Sequence, residues 1–214
     1  MAQTIDFRKT DKELFMAKTA NPTVLKVPVL PYVRVSGEGN PNGPVFAQAC
    51  AALYGFSYAL RMSGKSGDAP AGFVEYKVGT LEGFWALARG DVFDRNKKED
   101  LAWTIQIRQP DFLDRKSFAY FRDKARSKAE KKDGGNGFFD SLEFGRWSDG
   151  LCAQILHIGS YDDEPATFDS MERWLEAHGY RRISKAHREI YLSVPGRTAP
   201  GGLKTILRVQ IEKK

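Results

Sequence analysis

Gly150-Leu-Cys-Ala-Gln-Ile-Leu-His-Ile-Gly-Ser-Tyr-Asp-Asp-Glu-Pro165 is the stretch whose reading decides the fold, because it repeats the organisation of residues 32–44. The early copy opens on an extended run, Tyr32-Val33-Arg34-Val35, passes through a Gly-rich turn containing an acid, and reaches Pro44 at the start of an amphipathic helix. In the late copy Pro165 stands at the same place. Proline suits a first helical turn, where no N–H is lost and its fixed φ helps. Each helix is followed by a strand bearing an acid and an aromatic two apart, Glu82/Phe84 and then Glu189/Tyr191. A strand containing Thr-Ile comes next, at Trp103-Thr-Ile and at Lys204-Thr-Ile. Self-similarity in fixed order means two copies of one supersecondary unit sharing a core. The expected fold class is α+β: a pseudo-twofold duplication of a strand-helix-strand-strand unit, with an antiparallel sheet, helices on one face and a ligand cleft between the halves. Residues 1–29 read as an arm, and 30–214 as a single domain of two repeats, about 30–109 and 150–211, joined by a basic helical connector.

The chain of 214 residues has room for one large or two small domains, and intertwined repeats count as one. With 42% hydrophobic and 28% charged residues it falls among ordinary globular proteins. Apolar runs are broken well before the roughly 18 to 20 residues of a membrane span, and the first residues contain no apolar signal core. A cytoplasmic location without membrane contact is expected. Cys50 and Cys152, far apart, exclude a disulfide framework and read as small buried hydrophobes. His157, His178 and His187 make no zinc spacing with them, so neither a metal nor another cofactor is expected.

The net charge of +6 raises the question of nucleic acid. Much of it lies between Arg115 and Lys132, where Phe118, Phe121, Ala125 and Ala129 recur at helical spacing. That pattern is a surface helix with one apolar stripe and a solvated basic face. In the absence of helix-turn-helix, finger or RNA-recognition motifs, direct nucleic-acid binding is not expected.

Along the chain, a short helical pattern covers Asp11 to Lys18. The helix opened by Pro44 carries one stripe of Phe46, Ala49, Leu53, Phe56 and Leu60 and a neighbouring one of Ala47, Cys50, Tyr54 and Tyr58, which predicts burial of a broad face. Ser63 to Gly72 reads as a loop, Phe73 to Trp85 as a strand kinked at Gly79, and Leu101 to Gln109 as a half-buried strand of period two. Phe138 to Trp147 predicts an additional strand. The second helix, Pro165 to His178, presents Phe168, Met171 and Leu175 and stops at Gly179. Asp162, Asp163 and Glu164 gather at its positive end, where a carboxylate stabilises by a few tenths to about 1 kcal/mol.

Chemistry concentrates in Ala186-His-Arg-Glu-Ile-Tyr-Leu-Ser193. Strand alternation predicts Ile190 and Leu192 packed under the helices, with His187, Glu189 and Tyr191 facing the other way and Glu82 and Phe84 placed similarly. Two such units joined edge to edge would project both acid/aromatic pairs into a groove. A carboxylate among aromatic rings attracts organic cations and suits flat aromatic molecules with one polar or reactive end. A purely structural role would instead pair Glu189 with Arg208 or Lys204.

His187-Arg-Glu-Ile-Tyr-Leu-Ser, Gln154-Ile-Leu-His-Ile-Gly-Ser-Tyr-Asp-Asp-Glu-Pro-Ala-Thr-Phe168, Gly37-Glu-Gly-Asn-Pro, Leu81-Glu-Gly-Phe-Trp85 and Leu203-Lys-Thr-Ile-Leu-Arg208 together resemble the standalone GyrI-like small-molecule-binding proteins, in order from about residue 25 to the end. The chain is also similar to the effector-binding domains of drug-sensing transcription activators. The resemblance implies a pseudo-twofold α+β fold with a cleft between the halves and a central Glu, here Glu189. One branch of the family hydrolyses the cyclopropane ring of DNA-alkylating natural products within an aromatic cage. Two positions depart from the family pattern: the usual paired His before the Glu is His187-Arg188, and the aromatic often following Trp85 is Ala86. The implied function is binding of planar hydrophobic or aromatic xenobiotics, a detoxifying role, with hydrolysis of a strained electrophilic ring as the accompanying reaction. Glu189, Tyr161 and Tyr191 would be catalytic; Glu82, Phe84, Trp85, Trp103, His157 and His187 would bind the ligand. The alternatives are a non-catalytic sink for aromatic cations, or a topoisomerase-interacting or regulatory protein using the basic helix.

Overall fold

The computed structural model describes residues 4–89 and 97–214. Its centre is an antiparallel sheet built of two similar halves. The first comprises β2 (Leu30–Glu38), α3 (Pro44–Ser66), β3 (Leu81–Leu87) and β4 (Leu101–Arg108). The second comprises β6 (Gly150–Ile158), α5 (Glu164–Ala177), β8 (His187–Tyr191) and β9 (Lys204–Lys213). Their strands lie in the order β6-β9-β8-β3-β4-β2, so the two halves meet at the β3/β8 pair, where Gly83 faces Glu189. This is the duplicated strand-helix-strand-strand unit, with a short β7 (Tyr180–Arg182) added beside β9.

Two further strands close the sheet. β1 (Thr23–Val27) pairs with β6, and β5 (Glu143–Trp147) pairs with β2. In these ladders Thr23 faces Gln154 and Arg34 faces Glu143, so the leading strand of each half runs beside a strand from outside it and curls the sheet on itself. Residues 23–27, read from sequence as part of an arm, are thus a sheet strand. The remainder of that segment forms α1 (Phe7–Thr10) and α2 (Lys12–Phe15).

The helices form where local chemistry favours them. Pro44 occupies the first turn of α3, and Gly67, at φ 79°, ends it in the left-handed region. The α3 stripe of Ala49, Leu53, Phe56 and Leu60 is fully buried against Val33, Val35, Ile105 and Ile107. Each large side chain so buried contributes about 1.5–3 kcal/mol. α4 (Arg115–Asp133), capped by Asp114 on the Ser117 N–H, lays Phe118, Phe121 and Ala125 on the α3 layer. Met171 and Leu175 of α5 pack on Ile155, Leu207 and Val209. Among the described residues no helix is long and apolar enough to cross a membrane.

Four local expectations change. The loop read from Ser63 begins only at Gly67, because α3 runs on through Ser66 until the left-handed Gly67 ends it. The strand predicted from Phe73 begins only at Leu81, because Phe73 and Tyr76 turn into an aromatic cluster with Phe112, and Gly79 lies against the Arg108 backbone. The strand predicted from Phe138 begins at Glu143. Residues 137–139 instead make a 3-10 turn that buries Phe139 against Gly55 of α3. The second α3 stripe is not buried throughout, since Tyr58 is 55% exposed and Tyr54 opens onto a cleft.

The face opposite α3 and α5 is also filled. Leu14 of α2 packs there on Val27, Leu30, Tyr32 and Cys152. Beside them lies a buried charge network. Arg188 donates to Asp149 through Nε (2.6 Å) and Nη2 (2.5 Å), and to Glu82 through Nη1 (3.5 Å). Gln106 Nε2 completes Glu82 at 3.0 Å, and Arg208 donates to Gln154 and to the Leu14 carbonyl. Burial pushes the Asp149 carboxyl up, but hydrogen bonds and charge from Arg188, with Arg208 behind, more than offset this and hold it low.

Candidate functional site

α3 and α5 stand apart on their common face and leave the central strands uncovered between them. The resulting cleft has a volume of about 850 Å3. Phe46 and Tyr54 of α3 line it on one side, and Tyr161, Pro165 and Phe168 at the start of α5 on the other. Trp85 of β3 and His187, Glu189 and Tyr191 of β8 lie at its base. The sequence reading placed these three β8 side chains away from the helices. They face the helices, and Arg188 and Ile190 take the opposite side. The reason is tertiary: the helices flank the seam between the halves without covering it, so their face is the one with space for a groove.

The carboxylate of Glu189, 8% exposed, is held on several sides. His187 Nε2 lies 3.1 Å from its Oε1, and the His187 ring stands edge-on to Phe168 at 4.7 Å. The Tyr191 hydroxyl donates to Glu189 and accepts from Trp85 Nε1 at 2.9 Å. Glu164, in the first turn of α5 and 5% exposed, brings its carboxyl to the same spot, its oxygen lying within 4.8 Å of those of Glu189 and the ring nitrogen of His187. Burial, followed by the charge of Glu189, pushes the Glu164 carboxyl well above the usual range, so it carries a proton at neutral pH. The floor therefore holds a protonated acid, Glu164, beside Glu189. Burial, then Glu189 and Glu164, push the Tyr161 hydroxyl up to about 12, which leaves it a neutral donor. Among the described residues, the partners of Glu189 do not include Arg208 or Lys204.

Glu164, His187 and Glu189 offer donor atoms within 4.8 Å of one another, a spacing that could take a divalent cation. A proton shared between the two carboxylates meets the same electrostatic need. Its cost appears in stability. Glu164 has a folded-state pKa above its unfolded value, so its contribution is fully present below the ordinary carboxylate range and is lost as pH rises toward the folded value. Glu164→Gln removes that titration. Its stability should gain on the wild type as pH rises from 4 to 8, by roughly 3 to 5 kcal/mol, since each pH unit over which the folded chain keeps a proton that the unfolded chain loses is worth about 1.4 kcal/mol. Parallel urea-denaturation profiles across that range would show that Glu164 does not hold a proton.

The other expected ligand residues are placed differently. Glu82 and Phe84 lie on the opposite face, Glu82 within the Arg188 network and Phe84 beneath the Arg188 guanidinium at 5.9 Å. In β3 the positions that share the cleft face are Leu81, Gly83, Trp85 and Leu87, one residue out of step with the acid/aromatic pair, and a one-residue offset reverses every side chain. Trp103, 2% exposed, is core; it fills the space left by the missing Cβ of Gly37 and stands edge-on to Phe46 at 5.1 Å, supporting the cleft wall from behind. His157 staples the turn before α5, with Nδ1 at 2.9 Å from Thr167 Oγ1 and Nε2 at 2.9 Å from the Ser160 carbonyl.

Sequence reasoning missed Glu164, Phe46, Tyr54 and Phe168 as cleft residues. The legible signal for Tyr54 was its place in a stripe beside the fully apolar one. Glu164 was read with Asp162 and Asp163 as a helix-terminus charge. Asp162 does pair outward, with Lys98 at 3.0 Å, whereas Glu164 turns inward.

The described side chains of α4 do not line the cleft. Lys124 is bound to Asp68 at 2.5 Å, an exposed pair of a kind that contributes about 1 kcal/mol or less. Replacing Lys124, Lys128 and Lys131 by Gln should leave the affinity for a neutral planar ligand unchanged in a fluorescence titration. A weakened affinity would mean that α4 reaches the site.

The family described as the GyrI-like small molecule binding domain matches residues 20–212. Two solved Listeria innocua structures, one of an uncharacterized conserved protein and one described as a hydrolase, are 31% and 30% identical to this chain. Each has a TM-score of 0.88 and covers 98% of this chain and 100% of its own. The C-terminal domain of EcmrR shares the fold, with a TM-score of 0.51 at 12% identity over 91% of this chain and 98% of that one. Among curated proteins nothing matches. The match along nearly the whole chain, and the curled sheet with its cleft at the seam, establish that this protein belongs to the GyrI-like family of small-molecule-binding domains.

Proposed function

We propose that the cleft binds planar hydrophobic or aromatic molecules and that a strained, electrophilic ring held there is opened by water. The observation that carries this reading is the placement of Glu164, Glu189 and His187 within 4.8 Å of one another at the base of an aromatic-walled groove. Phe46, Tyr54 and Trp85 on one side and Phe168 on the other would hold a flat ligand, with His187 at its edge. Glu189 would take a proton from a water whose oxygen attacks a cyclopropane carbon conjugated to a carbonyl. The carbon–carbon bond breaks, its electron pair moves onto the carbonyl oxygen, and Tyr161 or protonated Glu164 supplies the proton that neutralises it. Water thus adds across the broken bond, with no oxidant or reductant. General-base assistance contributes typically ~10²- to 10⁴-fold, sufficient for an electrophile already activated by strain. A Listeria innocua relative described as a hydrolase, matching along its entire length, supports a reaction of this class.

A second reading rests on the same carboxylate. A negative Glu189 among aromatic faces would also retain an aromatic cation without changing it. Either activity fits a cytoplasmic protein that removes toxic small molecules. Incubation with electrophilic cyclopropanes and with aromatic cations, followed by mass spectrometry, separates the two. Gain of one water by the cyclopropane supports hydrolysis, and unaltered recovery of every compound excludes it.

A further inference from the structure

We infer that Trp85 and Gly83 are positioning residues that act on Glu189 through the hydroxyl of Tyr191; the inference deepens the hydrolytic reading and rests on it for its kinetic consequence. Gly83 lies directly opposite Glu189 in the central strand pair, on the strand face that Trp85 Nε1 and the Tyr191 hydroxyl cover. A Cβ placed on Gly83 would stand 2.7 Å from Trp85 Nε1 and 2.9 Å from the Tyr191 hydroxyl. The missing side chain is what lets those two groups meet above the strand, at 2.9 Å.

The direction of the contact follows from the donor inventory. An indole N–H can only donate, so Tyr191 must accept from Trp85 through its oxygen. Its own hydrogen is then committed to Glu189. Trp85 is itself fixed. It is 7% exposed, and Phe46 stacks on it at 5.6 Å with 27° between the rings. Glu189 consequently has its orientation set by His187 on one oxygen and by the Trp85–Tyr191 chain. Tyr191 is spoken for, and Tyr161, on the cleft wall beside it at 5.9 Å between ring centroids, is the phenol placed to meet a ligand oxygen.

The test uses the full chain, Trp85→Phe, Tyr191→Phe and the double variant, with a spirocyclopropyl cyclohexadienone as probe, because its opening to a phenol is followed by absorbance. Trp85→Phe keeps an aromatic ring but removes the N–H. It should lower kcat about tenfold, the scale of one lost orienting hydrogen bond, with KM within a factor of two. In the Tyr191→Phe background the same change should cost less than twofold more, since residues acting through one another are not additive. Independent multiplicative losses, or a rise in KM alone, would reduce Trp85 to a stacking surface and overturn the inference.

A ligand-free measurement keeps this separate from the reaction itself. The Trp85 indole N–H resonance, assigned by its disappearance in Trp85→Phe, should shift upfield and exchange faster with solvent in Tyr191→Phe. An unmoved resonance overturns the positioning chain even if hydrolysis is observed. A wild-type protein that leaves the probe intact defeats the hydrolytic reading and the kinetic role, while the resonance still decides the contact. Gly83→Ala should reproduce the resonance change; if that variant fails to fold, Trp85→Phe and Tyr191→Phe carry the decision.

Discussion

Glu189→Gln should abolish most turnover of an electrophilic cyclopropane while leaving its binding intact. The amide retains the size of the side chain and most of its hydrogen-bonding capacity, but it has lost the basic oxygen. If Glu189 deprotonates water, kcat should fall at least ~10²-fold, the low end of general-base assistance, with affinity for a neutral ligand nearly constant. The surrounding groups sharpen the expectation. The Tyr191 hydroxyl and the Glu164 proton can still find an acceptor in the amide oxygen, so the fold should tolerate the change. A cation sink would respond in the opposite way: affinity for an aromatic cation should weaken by about 1 to 2 kcal/mol, the scale of a lost charge-assisted contact, and no ligand would be altered by either form. Steady-state rates and calorimetric titrations on the same two proteins distinguish these outcomes. A folded variant with both quantities unchanged would return Glu189 to a structural role.

Arg188→Met should cause the largest loss of stability of any change considered, about 3–5 kcal/mol, because removing one partner of a buried ion network leaves uncompensated charge behind. The carboxyls concerned are Asp149 and Glu82, 14% and 3% exposed at their side chains; burial pushes Glu82 up even beside Arg188, so the uncompensated charge is chiefly that of Asp149. In the wild type, Asp149 has a depressed carboxyl, so its contribution is present above the ordinary carboxylate value and is lost as pH falls through the folded one. In the variant burial acts with far less opposition and raises that carboxyl, which reverses the slope. The deficit against wild type should therefore be greatest at neutral pH and narrow toward pH 4. Urea denaturation at pH 7 and pH 4.5 measures it. A loss below about 1 kcal/mol, equal at both, would mean that Arg188 adds little beyond what packing supplies.

The adjacent residues Arg188 and Glu189 show how far strand alternation reaches. Period two separates them onto opposite faces, and any sequence with this pattern would do so. Which face becomes an ion-paired interior and which a ligand cleft is not encoded in the alternation. It depends on α3 and α5 standing apart over the β3/β8 seam, and on α2 and the inter-strand corner at Asp149 filling the other side. The sequence reading consequently separated the residues correctly and assigned the faces the wrong way round. The same limit explains Glu82. Its spacing from Phe84 matches that of Glu189 from Tyr191, but the ladder places Gly83 opposite Glu189, so the cleft-facing set in β3 begins one residue away.

By itself, then, the chain determined its elements and their duplication. Proline at the start of each helix, glycine at the ends, period-two strands and a repeated order of motifs act through local backbone sterics and through the need of each unit to bury one apolar side. Those are short-range constraints that a linear pattern can carry. The tertiary structure decided what depends on long-range register and burial. It brought Glu164, a first-turn acid on one element, against Glu189 on another, so that one of them keeps a proton. It drew Trp103 into the core and His157 into a turn. It also set Phe46 and Tyr54 across the groove from Phe168. A pKa and a cleft wall arise from distance and solvent exclusion between segments far apart in the chain, and neither quantity exists until the sheet has closed.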